Sequence, residues 1–230
     1  MYLEPEVIYE DENIVVLSKP PGVLMHSDNR NEDETIADYL RVQYPEVAGV
    51  GDKPDQRPGI VHRLDKDTSG VVVIARNQET FLHLKDLFKQ GKVQKTYRTI
   101  VHGTPKEKIG EIDATISLKP GTVKRTVHKG KMSKEALTHY KVLESLGDYS
   151  YIEVYPKTGR THQIRVHLAS IGHPVVGDSL YGKKKDESGA PRQMLHAWML
   201  EIDVGPGKVF KFQADLPEDF QQMLKTLKST

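Results

Sequence analysis

The run Val71-Val72-Val73-Ile74, bounded in front by Ser69-Gly70, constrains this chain more than any other stretch. Four consecutive β-branched residues predict a strand buried on both faces, because a strand with one wet face would alternate. The polar residues just before it, from Pro58 onward, then sit on a loop held by the core, and Asp65 becomes a carboxylate on a rigid mount. His62, Arg63, Lys66 and Asp67 share that short loop. Charged residues seldom approach a core unless they are paired or functional. Asp67-Thr68-Ser69-Gly70 has ordinary turn chemistry, since Asp, Thr and Ser oxygens bond nearby backbone N–H groups and Gly tolerates positive φ. A turn needs neither the two cations nor the aspartate of His62-Arg63-Leu64-Asp65, so their density points to a site.

A chain of 230 residues can bury a substantial core as one domain or two closely packed lobes. With 37% hydrophobic and 28% charged residues it has the composition of a globular protein rather than a disordered one. Zero Cys excludes disulfides and Cys-ligated zinc and fits a reducing compartment. No long apolar span or signal-peptide pattern begins the chain, so a cytoplasmic protein away from the membrane is expected. The net charge of +1 hides an uneven distribution: residues 1–50 hold 3 Lys/Arg against 11 Asp/Glu, and the other 180 hold 30 against 21. Lys119, Lys124, Arg125, Lys129, Lys131 and Lys134 follow one another with no acidic residue between Asp113 and Glu135. Such a run is a solvated face or a contact for a polyanion.

In chain order, Val7-Ile8-Tyr9 and Ile14 to Leu17 read as paired strands across a polar turn, and Lys19-Pro20-Pro21-Gly22 as a stiff loop that stops the second. A helix capped near Asp33 or Thr35 places Ile36, Tyr39 and Leu40 on one face, and residues 49–58 form a Gly/Pro-rich loop. Asn77 caps a helix carrying Phe81, Leu84, Leu87 and Phe88, with Gly91 beyond its end. Val93 to Gly103 is a strand whose alternation puts Lys95 and Tyr97 on one face. Ile112, Ala114 and Ile116 alternate as another strand, and residues 138–143 pair with 149–154 across Gly147-Asp148. Residues 157–172 turn from loop to helix, with Thr161 as cap, Gly172 as stop, and Ile164, Leu168 and Ile171 as the buried stripe. Arg165 lies about 100° around from Ile164, at the edge of that stripe. Pro217-Glu218-Asp219 opens a last short helix.

His62-Arg63-Leu64-Asp65, followed by Thr68-Ser69-Gly70, resembles the signature of the RluA family of pseudouridine synthases at every specified position. Thr158-Gly159-Arg160 with His162-Gln163-Ile164-Arg165 and His167 resembles the family's second long signature, and Lys19-Pro20-Pro21-Gly22, Lys95-x-Tyr97, Gly177 to Gly182 and Leu195-His196-Ala197 resemble four further elements in the same order. Thr99 stands where Ala is commoner in that family, and Gly205-Pro206 where a His-Pro pair is common. The resemblance covers roughly residues 7–220. It implies an α+β fold with a long, mostly antiparallel mixed sheet, flanking helices and a central catalytic cleft, as a single catalytic domain over 1–230 without an N-terminal S4 module. No phosphate loop, Gly-x-Ser-x-Gly elbow or His-Glu-x-x-His competes with it, and His162 and His167, five apart, are off metal-ligand spacing.

The implied activity is isomerisation of uridine to pseudouridine in ribosomal or transfer RNA, by a monomer that needs no metal or other cofactor. The resemblance assigns Asp65 as nucleophile, Tyr97 as the ring over the target base or its general base, and Arg165 as the cation that keeps Asp65 ionised. Burial would otherwise push the carboxyl toward neutrality. Arg63 is expected to fill the gap left by a flipped uridine, with His62, Arg160, Ile164, Lys124 and Arg125 as further RNA or substrate contacts. For Arg160, a structural role bonding loop carbonyls is an equal alternative. Two rivals are a non-catalytic RNA-binding protein on the same fold, against which the intact Asp65, Tyr97 and Arg165 set argues, and a hydrolase, which lacks a second acid.

Overall fold

The computed structural model describes residues 4–27, 34–203 and 209–229; Asp33 and Gly205-Pro206 lie outside them. Along the chain run β1 (Glu6–Glu10), β2 (Ile14–Lys19), α1 (Ile36–Gln43), a 3-10 helix (Pro45–Gly49), β3 (Ser69–Ala75), α2 (Gln78–Gln90) and β4 (Gln94–His102). Then come β5 (Ile109–Asp113), β6 (Ile116–Leu118), β7 (Arg125–Thr126), β8 (Lys131–Lys134), β9 (Leu137–Leu146), β10 (Tyr149–Pro156), α3 (Gln163–Ser170), β11 (Leu195–Asp203), β12 (Val209–Gln213) and α4 (Glu218–Lys228). The class is α+β with mostly antiparallel sheets. Two compact units divide the chain, one made of residues up to Gln94 plus Ala197–Asp215, the other of Lys95–His196 plus the residues from Leu216 on.

In the first unit, all seven residues of β3 are buried, as the β-branched run requires. β2 pairs with it antiparallel from Ile14↔Ala75 to Lys19↔Gly70, and β1 pairs with β2 across a turn in which Asp11 Oδ1 accepts the N–H groups of Asn13 and Ile14 at 2.9 and 2.8 Å. Helix α2 lays Phe81, Leu84 and Leu87 into one core cluster with Ile14, Val16, Val71 and Val73. Its ends follow the sequence: Asn77 Oδ1 accepts the Thr80 N–H at 2.9 Å, and Gly91 takes φ 70°. Helix α1 starts at the Thr35 cap, closed by a capping box in which Thr35 and Asp38 bond each other's backbone.

The second unit is built on β4, β10, β9 and β5, with β10 antiparallel to β4 from Tyr149↔His102 to Val154↔Tyr97 and to β9 across the Gly147-Asp148 turn. A small three-stranded sheet, ordered β7-β6-β8, carries the basic run. The alternation of Ile112, Ala114 and Ile116 does not make one strand. Ile112 lies in β5, which pairs with β9, whereas Ile116 opens β6 in the small sheet; the chain changes sheet at Ala114, whose N–H donates to the Ala136 carbonyl at 3.1 Å. Helix α4 packs Phe220 into a second cluster with Ile100, Val176 and Met194, and the Arg192 fork holds its first turn through both oxygens of Asp219 at 2.7 and 3.0 Å.

Helix α3 also differs from expectation. Thr161 is not its cap: His162 precedes the first helical residue in a left-handed conformation, φ 56°, and makes no side-chain cap bond. Nor is there a simple buried stripe. Every residue from Gln163 to Leu168 is buried, while Ile171, beyond the helix end, is 38% exposed. A helix covered on all sides must satisfy its polar side chains internally. Gln163 does so with four bonds, accepting from the Thr158 hydroxyl and Arg160 N–H at 2.7 and 3.0 Å and donating to Leu137 O and Thr138 Oγ1 at 3.0 and 2.9 Å.

The end of β2 carries the least expected side chain of the first unit. Lys19 is 0% exposed, and its ammonium donates to the carbonyls of Pro20, Val23 and Lys66, each at 2.8 Å. An ammonium has three donors, and here three carbonyls take them. The Lys66 carbonyl also accepts the Gly22 N–H at 3.0 Å, so Lys19-Pro20-Pro21-Gly22 is a clamp on the loop that contains Asp65.

Two outcomes follow for stability. Lys19→Met leaves the Pro20, Val23 and Lys66 carbonyls without their donor and is expected to cost about 3–5 kcal/mol, read from urea denaturation; a wild-type midpoint would show the clamp to be dispensable. Gly70 has φ 116°, and a Cβ there would lie 2.1 Å from the Ala197 carbonyl oxygen, whereas Gly147, φ 63°, has open space around it. Gly70→Ala is therefore expected to cost about 3 kcal/mol or more and Gly147→Ala about 1 kcal/mol, with the two midpoints compared in one denaturation series.

Candidate active site

The loop before β3 is fixed at several points of the first unit. Leu64 is buried, Thr68 and Ser69 are each 2% exposed, and the Thr68 N–H donates to the Asp65 carbonyl at 3.1 Å. Asp65 itself is half-buried, a carboxylate on a held backbone. Arg63 is exposed. His62 turns the other way: its Nε2 accepts the Val73 N–H at 3.0 Å and its ring stacks on Phe88 with centroids 4.6 Å apart. A ring nitrogen that accepts a backbone N–H carries no proton, so in this arrangement the imidazole is neutral and anchors the loop to β3 and α2.

In the second unit, β4 presents Tyr97 half-buried against a cluster made of Val101, Ile152, Val154, Ile164 and Leu168 among others. Ile164, 6% exposed, is a buried member of that cluster. Thr99 is fully buried, and its hydroxyl donates to the Met194 carbonyl at 2.7 Å, which satisfies the polar atom that distinguishes it from Ala. Two residues before Tyr97, Lys95 donates to the Thr158 carbonyl at 3.1 Å. Burial lowers its pKa to about 8, and the nearby positive charges of Arg160 and Lys157 push the same way. Lys95 is therefore partly neutral in mildly alkaline solution. Arg160 donates from Nε to the Glu135 carbonyl at 3.0 Å, the loop-bonding role that its position left open.

Arg165 is 4% exposed and grips Asp178 with a fork, Nε to Oδ2 at 2.7 Å and a terminal nitrogen to Oδ1 at 2.8 Å. Burial acts to raise the Asp178 pKa, but the hydrogen bonds and charge of Arg165, with the N–H groups of Tyr181 and Leu180, outweigh it and hold the carboxyl below its ordinary range. The Arg165 guanidinium also lies over the Tyr181 ring, 5.2 Å from its centroid. Sequence reasoning quoted Gly177 to Gly182 as a motif but gave Asp178 and Tyr181 no task. An aspartate in a six-residue segment closed by glycines was the available signal, and only the fold brings it to Arg165.

The basic run is tied to the same segment. Lys124 Nζ donates to the Leu180 carbonyl at 2.9 Å, and the Arg125 N–H donates to the Tyr181 hydroxyl at 2.7 Å. Lys129, Lys131 and Lys134 are exposed. The second unit thus brings Arg165, Asp178, Tyr181, Lys124 and Arg125 into one network, with Tyr97 and Ile164 sharing a core cluster beside it. Asp65, His62 and Arg63 belong to the first unit.

Comparison with known proteins adds to this geometry. The family model described as RNA pseudouridylate synthase matches residues 13–170. The ribosomal large subunit pseudouridine synthase D of Borreliella burgdorferi is 39% identical over 214 residues, covering 93% of this chain and 66% of that protein. An uncharacterized RNA pseudouridine synthase of Chloroflexus aurantiacus is 42% identical, covering 91% of this chain and 65% of that protein. The chain spans about two thirds of the length of these curated relatives. Among solved structures, human RNA pseudouridylate synthase domain containing 4 superposes with a TM-score of 0.77 at 26% identity, covering 96% of this chain and 92% of that one. With a family match over more than half of its length and relatives of this identity, the chain belongs to the RluA family of RNA pseudouridine synthases.

Proposed function

We propose that this protein isomerises specific uridines of structured RNA, large-subunit ribosomal RNA foremost, to pseudouridine. One observation carries the reading: family membership coincides with an aspartate, Asp65, on a loop whose backbone is clamped by the Lys19 ammonium and by the Thr68 N–H. The names of relatives as ribosomal large subunit pseudouridine synthase D support the choice of RNA. A monomer acting in the cytoplasm completes the reading, in keeping with zero Cys.

The reaction breaks the bond from C1′ to N1, turns the uracil and joins C1′ to C5, after which the C5 proton leaves and N1 is protonated. Nothing is oxidised or reduced. An ionised carboxylate serves it either by attack at C1′ or by assisting a glycal route, and Asp65 is assigned that part. Tyr97 is assigned to stack on the uracil, where an aromatic face retains the detached base. Arg165 is assigned to supply the positive charge that favours the Asp65 carboxylate. Arg63, exposed on the same loop, is assigned to occupy the space of the extruded nucleotide. Backbone contacts are assigned to His62, Arg160, Lys124 and Arg125, although the bonds described above commit parts of each to the protein itself, and Lys129, Lys131 and Lys134 extend the surface. Ile164 is assigned to the apolar wall behind the base.

The decisive experiment incubates the protein with an unmodified large-subunit ribosomal RNA transcript and maps pseudouridine. The wild type is expected to convert discrete uridines, and Asp65→Asn to lose at least about a thousandfold in rate while folding and binding RNA normally, because the amide has the shape but not the charge of a nucleophile. No conversion by the wild type, or turnover by Asp65→Asn near that of the wild type, overturns the assignment. Replacing Lys129, Lys131 and Lys134 together by Gln is expected to weaken RNA binding and to lower the slope of log affinity against log salt by about 2, since fewer counterions are released. An unchanged slope would return that sheet to a solvated surface.

A further inference from the structure

We infer that Tyr181 is a positioning residue that joins the basic hairpin formed by the antiparallel pair β6 and β7 to Arg165, its hydroxyl holding β7 and its ring holding the guanidinium. The inference rests on the proposed activity for what Arg165 does, but the junction itself is read from geometry within the second unit.

The Tyr181 oxygen accepts the Arg125 N–H at 2.7 Å, so its own proton is available to His162 Nδ1, which lies 2.8 Å away. The two rings meet edge to face with centroids 5.6 Å apart. His162 is one of only two non-glycine residues with positive φ among those described, and it stands just before α3, the helix that carries Arg165. A strained backbone of this kind persists where neighbours hold it, and the Tyr181 hydroxyl is such a neighbour. The phenol oxygen therefore fixes two segments at once, the start of β7 and the entry to α3.

The rest of the segment works toward the same end. Leu180 and Tyr181 donate their N–H groups to Asp178 Oδ1 at 2.9 and 3.0 Å, and that carboxylate is the one Arg165 grips. The Leu180 carbonyl takes the Lys124 ammonium. Lys124 and Arg125 are thus pinned at adjacent positions to the segment that sets both the carboxylate and the aromatic face of Arg165. An RNA strand that orders the hairpin through phosphate contacts would, by the same bonds, order Tyr181 and with it the guanidinium. The ring's own part in placing Arg165 is separable, because removing the hydroxyl alone breaks the bonds to Arg125 and His162 and leaves the aromatic face under the guanidinium.

The test compares Tyr181→Phe, which removes only the hydroxyl, with Tyr181→Leu, which removes the ring as well. Affinity is measured by fluorescence anisotropy with a large-subunit ribosomal RNA transcript, and the single-turnover rate at saturating RNA by release of the C5 hydrogen isotope. Tyr181→Phe is expected to raise the Kd about tenfold, the effect of losing bonded partners at two sites. Tyr181→Leu is expected to share that loss and to slow the rate about a further tenfold relative to Tyr181→Phe, as a guanidinium without its aromatic face is less well placed. Tyr181→Trp, which keeps an aromatic face, should recover part of the rate without the affinity and decides the ring's role if the Leu variant does not fold. A Tyr181→Phe protein with wild-type affinity overturns the hydroxyl's role. Phe, Leu and Trp variants of equal rate overturn the ring's. A wild type that makes no pseudouridine fails the proposed activity instead, and the affinity of Tyr181→Phe then still decides the junction with the hairpin.

Discussion

A fully buried ammonium organises the first unit. Lys19 lies at the end of a strand whose first four members are buried and apolar, and a cation there would be costly if any of its donors lacked an acceptor. Pro20, Val23 and Lys66 each present a carbonyl, and the Lys66 carbonyl belongs to the loop of Asp65. The dependence runs both ways: the strand pair β2–β3 places the ammonium, and the ammonium holds the loop against that pair. The prolines of the segment suit this, since they stiffen the turn and leave carbonyls with no competing N–H of their own residue.

The second unit uses a buried ion pair to comparable effect. Arg165 and Asp178 are almost wholly removed from water, so their attraction offsets a large desolvation cost only because the fork geometry and the Leu180 and Tyr181 N–H groups complete the carboxylate's bonds. The pairing makes Arg165 a fixed charge rather than a searching side chain. A charge fixed in this way acts through placement and electrostatics without reorganising. Gln163 and His167 serve the same helix: His167 Nε2 bonds the Ala114 carbonyl at 2.9 Å while Nδ1 bonds Thr138 Oγ1 at 2.9 Å, and burial keeps its pKa below the ordinary imidazole value.

Residue identity and tertiary partners divide the task of recognition in this family member. The motif residues Lys19, His62, Gln163 and Asp178 each bond protein atoms, which ties much of the signature to holding the Asp65 loop and helix α3 in place. Arg63 and, in the small sheet and its loop, Lys129, Lys131 and Lys134 are exposed instead.

Sequence by itself determined what local chemistry decides. The β-branched run made β3 a doubly buried strand, Thr35, Asn77 and Gly91 set helix ends through their own backbone bonds, and Gly147-Asp148 closed the β9–β10 hairpin. It also made Asp65 stand out, since no turn needs that crowd of charges. What it left undecided depended on partners distant along the chain. Ile112 to Ile116 alternates like one strand, yet only the competing edges of β9 and the small sheet split it. Thr161 is a good cap by type, but the bond from Tyr181 to His162 accompanies a helix that begins later. Periodicity around Ile164 suggested one buried stripe, whereas packing on every side buries the helix through Leu168 and demands Gln163's four bonds. Arg165 stood out as a cation at the edge of a helix stripe, but the carboxylate it grips lies 13 positions away in Asp178, and only tertiary structure brings two such charges together, because no local rule links residues separated by a loop.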